Sequence, residues 1–165
     1  MNLVCNAGPI IALAKINQLP LLEQLGFSSV AIPQTVFYEL LAKPGIETIR
    51  ILEVAETFLK VCPCPAGKIP AHVDVHTRNL DPGELEVALV SLSLFPNCMA
   101  LLDDAAGRRA CRQLDIPVMG FAGTLLLAKQ KSLLSEITPY LHEVRSKGYW
   151  LSDGLIKLVT SAAGE

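Results

Sequence analysis

The chain lacks any apolar run approaching the ~18 residues that a bilayer-crossing helix needs, although 51% of its 165 residues are hydrophobic and the mean hydropathy is +0.41. Charge or proline breaks its longest apolar stretches, so no membrane span is expected. The opening MNLVCNAGPI also lacks a basic segment leading into an apolar core and a small-residue cleavage site. Export is therefore not expected, and the protein is expected in the cytoplasm. A positive charge excess is missing too: 14 Lys and Arg stand against 16 Asp and Glu, a net charge of −2. Nonspecific nucleic-acid binding draws mainly on neutralised phosphates, so any such contact has to be local. Finally, there is no Ser/Gly-rich linker, charge run, internal repeat or low-complexity segment. A chain of this length can bury a sizeable core, so one domain over residues 1–165 is expected.

Cysteine pairing is also lacking. The five cysteines (Cys5, Cys62, Cys64, Cys98, Cys111) are odd in number and have no paired metal spacing. Cys5, Cys98 and Cys111 lie in apolar segments where a thiol packs as a small hydrophobe. Cys62 and Cys64 flank Pro63, but no second pair completes a zinc site.

What is present is an alternation of short apolar runs with helical ones, the pattern of a parallel sheet covered on both faces. The strands are read as residues 3–5 (LVC), 28–32 (SSVAI), 59–62 (LKVC), 98–103 (CMALLD) and IPVMG. Helices are expected over NAGPIIALAKI, TVFYELLAK with Thr35 as N-cap, IETIRILEVAETF, GELEVALVSLSL, DAAGRRACRQL, GTLLLAKQK, SEITPYLHEVRSKG and SDGLIKLVTSAAG. PCPAGKIPAHVDVHTRNLDPG, rich in proline and polar residues, reads as the longest loop. The fold class is α/β, a three-layer α/β/α sandwich around a parallel sheet.

Four oxygen-bearing side chains fall at strand ends or helix starts: Asn6, Glu39, Glu84 and Asp104. Hard oxygens from separate segments are what Mg²⁺ or Mn²⁺ takes, provided the fold brings them together. In an open parallel sheet ligands bind beyond the carboxyl ends of the strands. Asn6 follows the first strand and Asp103-Asp104 ends the fourth, so both belong to one edge if those strands are neighbours. Glu39 and Glu84 join them only if their helices face it. Asp103 should point away from Asp104, and Glu86 lies about 200° round its helix from Glu84, so only one of that pair faces the site. Asn6 also suits helix capping. Arg108 and Arg112 share a helix face, with Arg109 beside it, and either approach a phosphate or form a solvated face. Gly123-Thr124 and Ser152-Asp153 read as helix starts. His72 and His76 are spaced for zinc on a helix, but Pro70 and the valines favour an extended or loop segment. His142 reads as a surface residue.

Taken together, VCNAGPIIALAKI, IPQTVFYELL, LDPGELEVALVSL, LLDDAAGRRACRQLDIPVMGFAGTLLLAKQKSLL and WLSDGLIKLV resemble the PIN-domain ribonucleases, which include the toxin subunits of type II toxin–antitoxin pairs. The likeness covers nearly the whole chain and lies in the order and spacing of the segments. It implies acidic residues holding one or two Mg²⁺ or Mn²⁺ ions for RNA hydrolysis. Glu39 matches the family's helical glutamate, Glu84 its second helical acid and Asp104 the acid after the fourth strand. Asn6 stands where the family usually has Asp, as in a PIN-like subgroup. An amide oxygen can ligate Mg²⁺ but brings no charge, so ion affinity should fall. The resemblance thus implies a toxin-like endoribonuclease in which Arg108 steadies the phosphate, paired with an antitoxin-like partner and homodimeric. The alternative is a catalytically weakened binding protein on the same fold, and an exposed apolar patch would favour it. A phosphoacceptor receiver fits poorly: the acidic pair comes late, and Lys129 and Lys131 lie in helix.

Overall fold

A computed structural model describes residues 1–42, 44–94 and 96–165. Its two central strands are the apolar runs that burial on both faces demands: Leu3, Val4, Cys5, Ala100 and Leu101 have no exposed surface. In chain order the elements are β1 (Asn2–Cys5), α1 (Ala7–Lys15), α2 (Leu21–Gln24), β2 (Ser29–Pro33), α3 (Gln34–Leu41), α4 (Ile46–Ala55), β3 (Leu59–Cys62) and α5 (Ala71–Thr77). There follow α6 (Pro82–Leu94), β4 (Cys98–Leu101), α7 (Ala105–Gln113), β5 (Val118–Met119), α8 (Phe121–Gln130), α9 (Thr138–Ser146) and α10 (Asp153–Ala163). The sheet order is β3-β2-β1-β4-β5 and every pairing is parallel. Helices flank it on both sides, giving the expected α/β/α sandwich. On one side α6 packs against β1, β2 and β4 with α7 beside it; α1 packs with α4, α8 and α9.

Register aligns the ends of three strands, because Cys5 pairs with Leu101 and Leu101 with Met119. The chain therefore leaves β1, β4 and β5 along one edge, carrying Asn6, Asp103-Asp104 and Gly120 with it. From β1 the chain builds outward to β2 and β3, then returns to place β4 on the other side of β1. That reversal makes the β1/β4 crevice the point where an open α/β sheet accommodates ligands.

Three local expectations are corrected. Residues within the expected long loop form α5, which starts just after Pro70 at φ −59°. Proline is compatible with a helix start. Val73 and Thr77, one turn apart, are buried against the body of the protein. That packing outweighs the few tenths of a kcal/mol per residue by which β-branched side chains disfavour helix. His72 and His76 thus do lie on a helix, His72 exposed and His76 half-buried. At α3 the cap position is Pro33, not Thr35. The Thr35 N–H and hydroxyl both donate to Glu86 from α6, at 3.2 and 2.7 Å. The expectation at Lys43 lies outside the described residues. Thr124 does not start α8, which follows Gly120; it is buried, and its hydroxyl donates to the Gly120 carbonyl at 3.1 Å. Ser152 does cap α10, accepting from the Leu155 N–H at 3.1 Å. Asp153 is in the first turn of that helix and pairs with Arg145 at 2.5 Å. Among the described residues no helix is long and apolar enough to cross a membrane.

Candidate metal centre

The first turn of α6 fixes Glu84. Pro82 opens the helix, where a missing N–H is harmless. The Glu84 N–H donates to Asp81 Oδ1 at 2.7 Å, and the Asp81 N–H reaches back toward Glu84 Oε2 at 3.4 Å. Such reciprocal capping satisfies two otherwise orphaned donors and locks the backbone under the carboxylate. Glu84 is only 6% exposed. Asp104 caps α7 in the same manner, its Oδ1 accepting from the N–H groups of Ala106 at 2.6 Å and Gly107 at 3.2 Å.

Two glycines let these helices come together. A Cβ on Gly107 would stand 3.4 Å from the Glu84 carboxyl, and one on Gly83 would stand 3.2 Å from Glu39 Oε2. Glu84 and Asp104 are hydrogen-bonded to each other. Burial first, then Asp104 and Asp81, push Glu84 up to about 7. Burial alone would raise Asp104 as well. The hydrogen bond from Glu84 and the N–H groups at the start of α7 outweigh it and hold Asp104 below its ordinary range. Of the two, Glu84 is therefore the carboxyl that retains its proton furthest toward neutral pH. Glu39, on α3, is also raised, by burial first and then by the charges of Asp81 and Glu86.

Not every acid nearby belongs to this cluster. Asp103 turns away, as expected from its place before Asp104: the Phe121 N–H donates to its Oδ1 at 3.0 Å and the Tyr149 hydroxyl to its Oδ2. Glu86 serves Thr35 at the start of α3. Asn6 lies on the shared edge, its N–H bonded to the Leu101 carbonyl at 2.9 Å and its Oδ1 accepting from the Ala7 N–H at 2.8 Å. It caps α1 while standing at the crevice. Arg108 Nη1 reaches the Leu102 carbonyl at 3.5 Å.

A family model described as a PIN domain matches residues 2–165. The chain belongs to the PIN-domain family. No curated protein matches it. PIN domains generally use divalent metal ions and suggest RNA binding and nuclease-type chemistry. Among the described residues of this PIN domain, no three His, Cys, Asp or Glu side chains are close enough to hold one ion as they stand. The donor set nevertheless fits such an ion in kind: neighbouring carboxylates supply hard oxygens, and the proton that burial keeps on Glu84 would be released to a bound cation.

Asp81 was not singled out from the sequence. The Asp-x-x-Glu spacing of LDPGE was the available signal, since it is the signature of a reciprocal cap. In this PIN domain Asp81 both anchors Glu84 and raises its proton affinity.

A pH dependence follows. Glu84 has an ordinary value of 4.5 and a folded value of about 7, so between those values the folded form binds more protons than the unfolded one. Its contribution to stability is complete below about 4.5 and fades as pH rises through about 7. Asp104 acts oppositely, contributing above its ordinary value and losing that contribution as acid protonates it. Between pH 5 and 8 the Glu84 effect governs, so the ion-free protein should lose thermal stability across that interval. Thermal melts in EDTA at several pH values test this, and Glu84→Gln should flatten the slope. An unchanged slope in that variant would contradict the assignment.

Proposed function

We propose that this PIN domain is a metal-dependent, toxin-like endoribonuclease that hydrolyses RNA phosphodiester bonds. The observation that carries the reading is the Glu84–Asp104 pair, brought side by side at Gly107 by two helix starts beside the strand-order reversal. In this reading Glu39, Glu84 and Asp104 hold Mg²⁺ or Mn²⁺, with the Asn6 amide oxygen as a neutral fourth donor. Such an ion, when bound, acidifies a water and offsets charge on the scissile phosphate. Glu84 gives up its proton as the site loads, Asp104 keeps its orientation through the start of α7, and Arg108 holds the phosphate. Residues 1–165 are taken as one such domain, acting in the cytoplasm as a homodimer and restrained by an antitoxin-like partner.

A second reading, a PIN-fold binding protein, is favoured by a specific observation. Ile46, Ile49 and Leu52 are 56%, 54% and 43% exposed along one side of α4, an apolar face suited to a partner. Assaying a mixed RNA pool with Mg²⁺ or Mn²⁺ against an EDTA control separates the two. Cutting by the parent protein supports the nuclease; cutting only after Asn6→Asp supports the binding protein. Aspartate caps a helix as well as asparagine, so Asn6→Asp should leave the fold intact. It should tighten Mn²⁺ binding about tenfold through the added charge, measurable by calorimetry. An unchanged affinity would remove Asn6 from the site.

A further inference from the structure

The opposite side of α7 carries a different chemistry. A cavity of about 630 Å³ lies between α7 and the segment joining α9 to α10, lined by Arg108, Arg109, Arg112, Tyr149 and Trp150 among others. Trp150 is 82% exposed. An indole left so open to water contributes little to the core, and its flat face is available to another ring. Among the described residues none of the three arginines takes part in an ion pair. Arg109 and Arg112 are exposed and one turn apart, so their guanidinium groups serve neighbouring anionic groups.

The groove also has a direction. Ala105, in its wall, directly follows Asp104 in the chain. A second cavity of about 260 Å³ shares Asp103, Arg108 and Leu155 with the first and extends to Gly120 at the sheet edge. The two adjoin at Arg108 and together run from Trp150 along α7 to the β5–α8 turn. The chemistry of this groove is one aromatic platform followed by arginines that, among the described residues, make no ion pair.

We propose that this groove binds single-stranded RNA, with a base stacked on Trp150, adjacent phosphates on Arg109 and Arg112, and a further phosphate on Arg108 where the two cavities meet. The proposal rests on the nuclease reading for its choice of RNA. Stacking on an exposed aromatic is tolerant of sequence, whereas the guanidinium contacts make binding sensitive to salt. This arrangement also reconciles nucleic-acid binding with a net charge of −2, because the positive charge needed is concentrated on one side of one helix.

Trp150 is the only tryptophan in the chain, so intrinsic fluorescence reports on this groove alone. The protein would be titrated in EDTA, which prevents metal-dependent cutting, with a heptameric single-stranded RNA of mixed sequence. A parallel titration would use an acidic peptide. Binding of end-labelled RNA would be followed by anisotropy. The expected result is saturable, salt-sensitive quenching by RNA. Trp150→Ala should raise Kd about tenfold, and Trp150→Phe should recover most of that loss. Arg109→Ala combined with Arg112→Ala should reduce the slope of log Kd against log salt by about 1.4. Quenching by the peptide and not by RNA, or RNA binding that leaves the fluorescence and the Trp150→Ala affinity unchanged, would overturn the proposal. Failure of the nuclease reading is distinguishable: an inactive protein whose Trp150 still responds to RNA retains the groove, whereas a cutting protein with a silent Trp150 loses it.

Discussion

Asp104→Asn is expected to lower Mn²⁺-dependent RNA cleavage at least about a hundredfold while leaving the thermal midpoint nearly unchanged. An ion at the reacting phosphate supplies several kcal/mol of charge stabilisation, and each 1.36 kcal/mol is a factor of ten in rate. Losing one anionic ligand sacrifices a good part of that. Asparagine is chosen because the proposed function adds a ligand role to the cap that Asp104 already makes. Its Oδ1 accepts from the N–H groups of Ala106 and Gly107, and an asparagine oxygen caps a helix equally well. The substitution removes the charge and keeps the cap. Cleavage and melting measured on the same preparation decide the matter. Undiminished cleavage would exclude Asp104 from the chemistry, and a collapse of both quantities would mean that capping was its main role.

The second large effect concerns the frame. Gly120→Ala should lower the melting temperature by about 6–10 °C. A Cβ there would fall well inside contact distance of Asp103 Oδ1 and within 2.7 Å of Arg108 Nη1. The Asp103 carboxylate cannot swing aside cheaply, because the Phe121 N–H and the Tyr149 hydroxyl both donate to it. Burial first, and the Asp103 charge next, raise the Tyr149 hydroxyl well above its ordinary range, so it stays a donor. A hydrogen bond to a charged group is worth about 1.5–3 kcal/mol. In a protein of this size each kcal/mol moves the midpoint by about 2–4 °C. Differential scanning calorimetry reads the shift directly, and a midpoint within about 1 °C of the parent would show that the β5–α8 turn accommodates the methyl group.

The strands were legible because burial on both faces leaves few alternatives to runs such as LVC and CMAL. Asp104 was legible as an edge residue for a related reason: it follows an apolar strand, and one sheet rule sends such residues to the same place, whereas Glu84, on a helix, could be placed there only if α6 faced the edge. The features that escaped the sequence depend on partners far along the chain. Thr35 has the composition of an N-cap, but the group that satisfies its N–H is Glu86, 51 residues away. Segment 71–77 contains β-branched residues and follows a proline, and only the burial of Val73 and Thr77 makes it a helix. The groove along α7 was half visible as an arginine cluster. That the single tryptophan would stand across from it depends on how the α9–α10 segment passes α7, which no local pattern encodes.

Asp103 and Asp104 face opposite duties from consecutive positions, one tying α8 and Tyr149 to the sheet edge, the other opening α7 beside Glu84. Only Leu102, Asp103 and Asp104 separate β4 from α7. This connection therefore has no tolerance for length change, unlike most surface turns. Deleting one residue would pull the wrong carboxylate into each role, and adding one would rotate α7 by about 100° per residue relative to the edge. In this chain the geometry leaves no room for a length change at this junction, whereas the largely exposed residues 63–70 between β3 and α5 can absorb one.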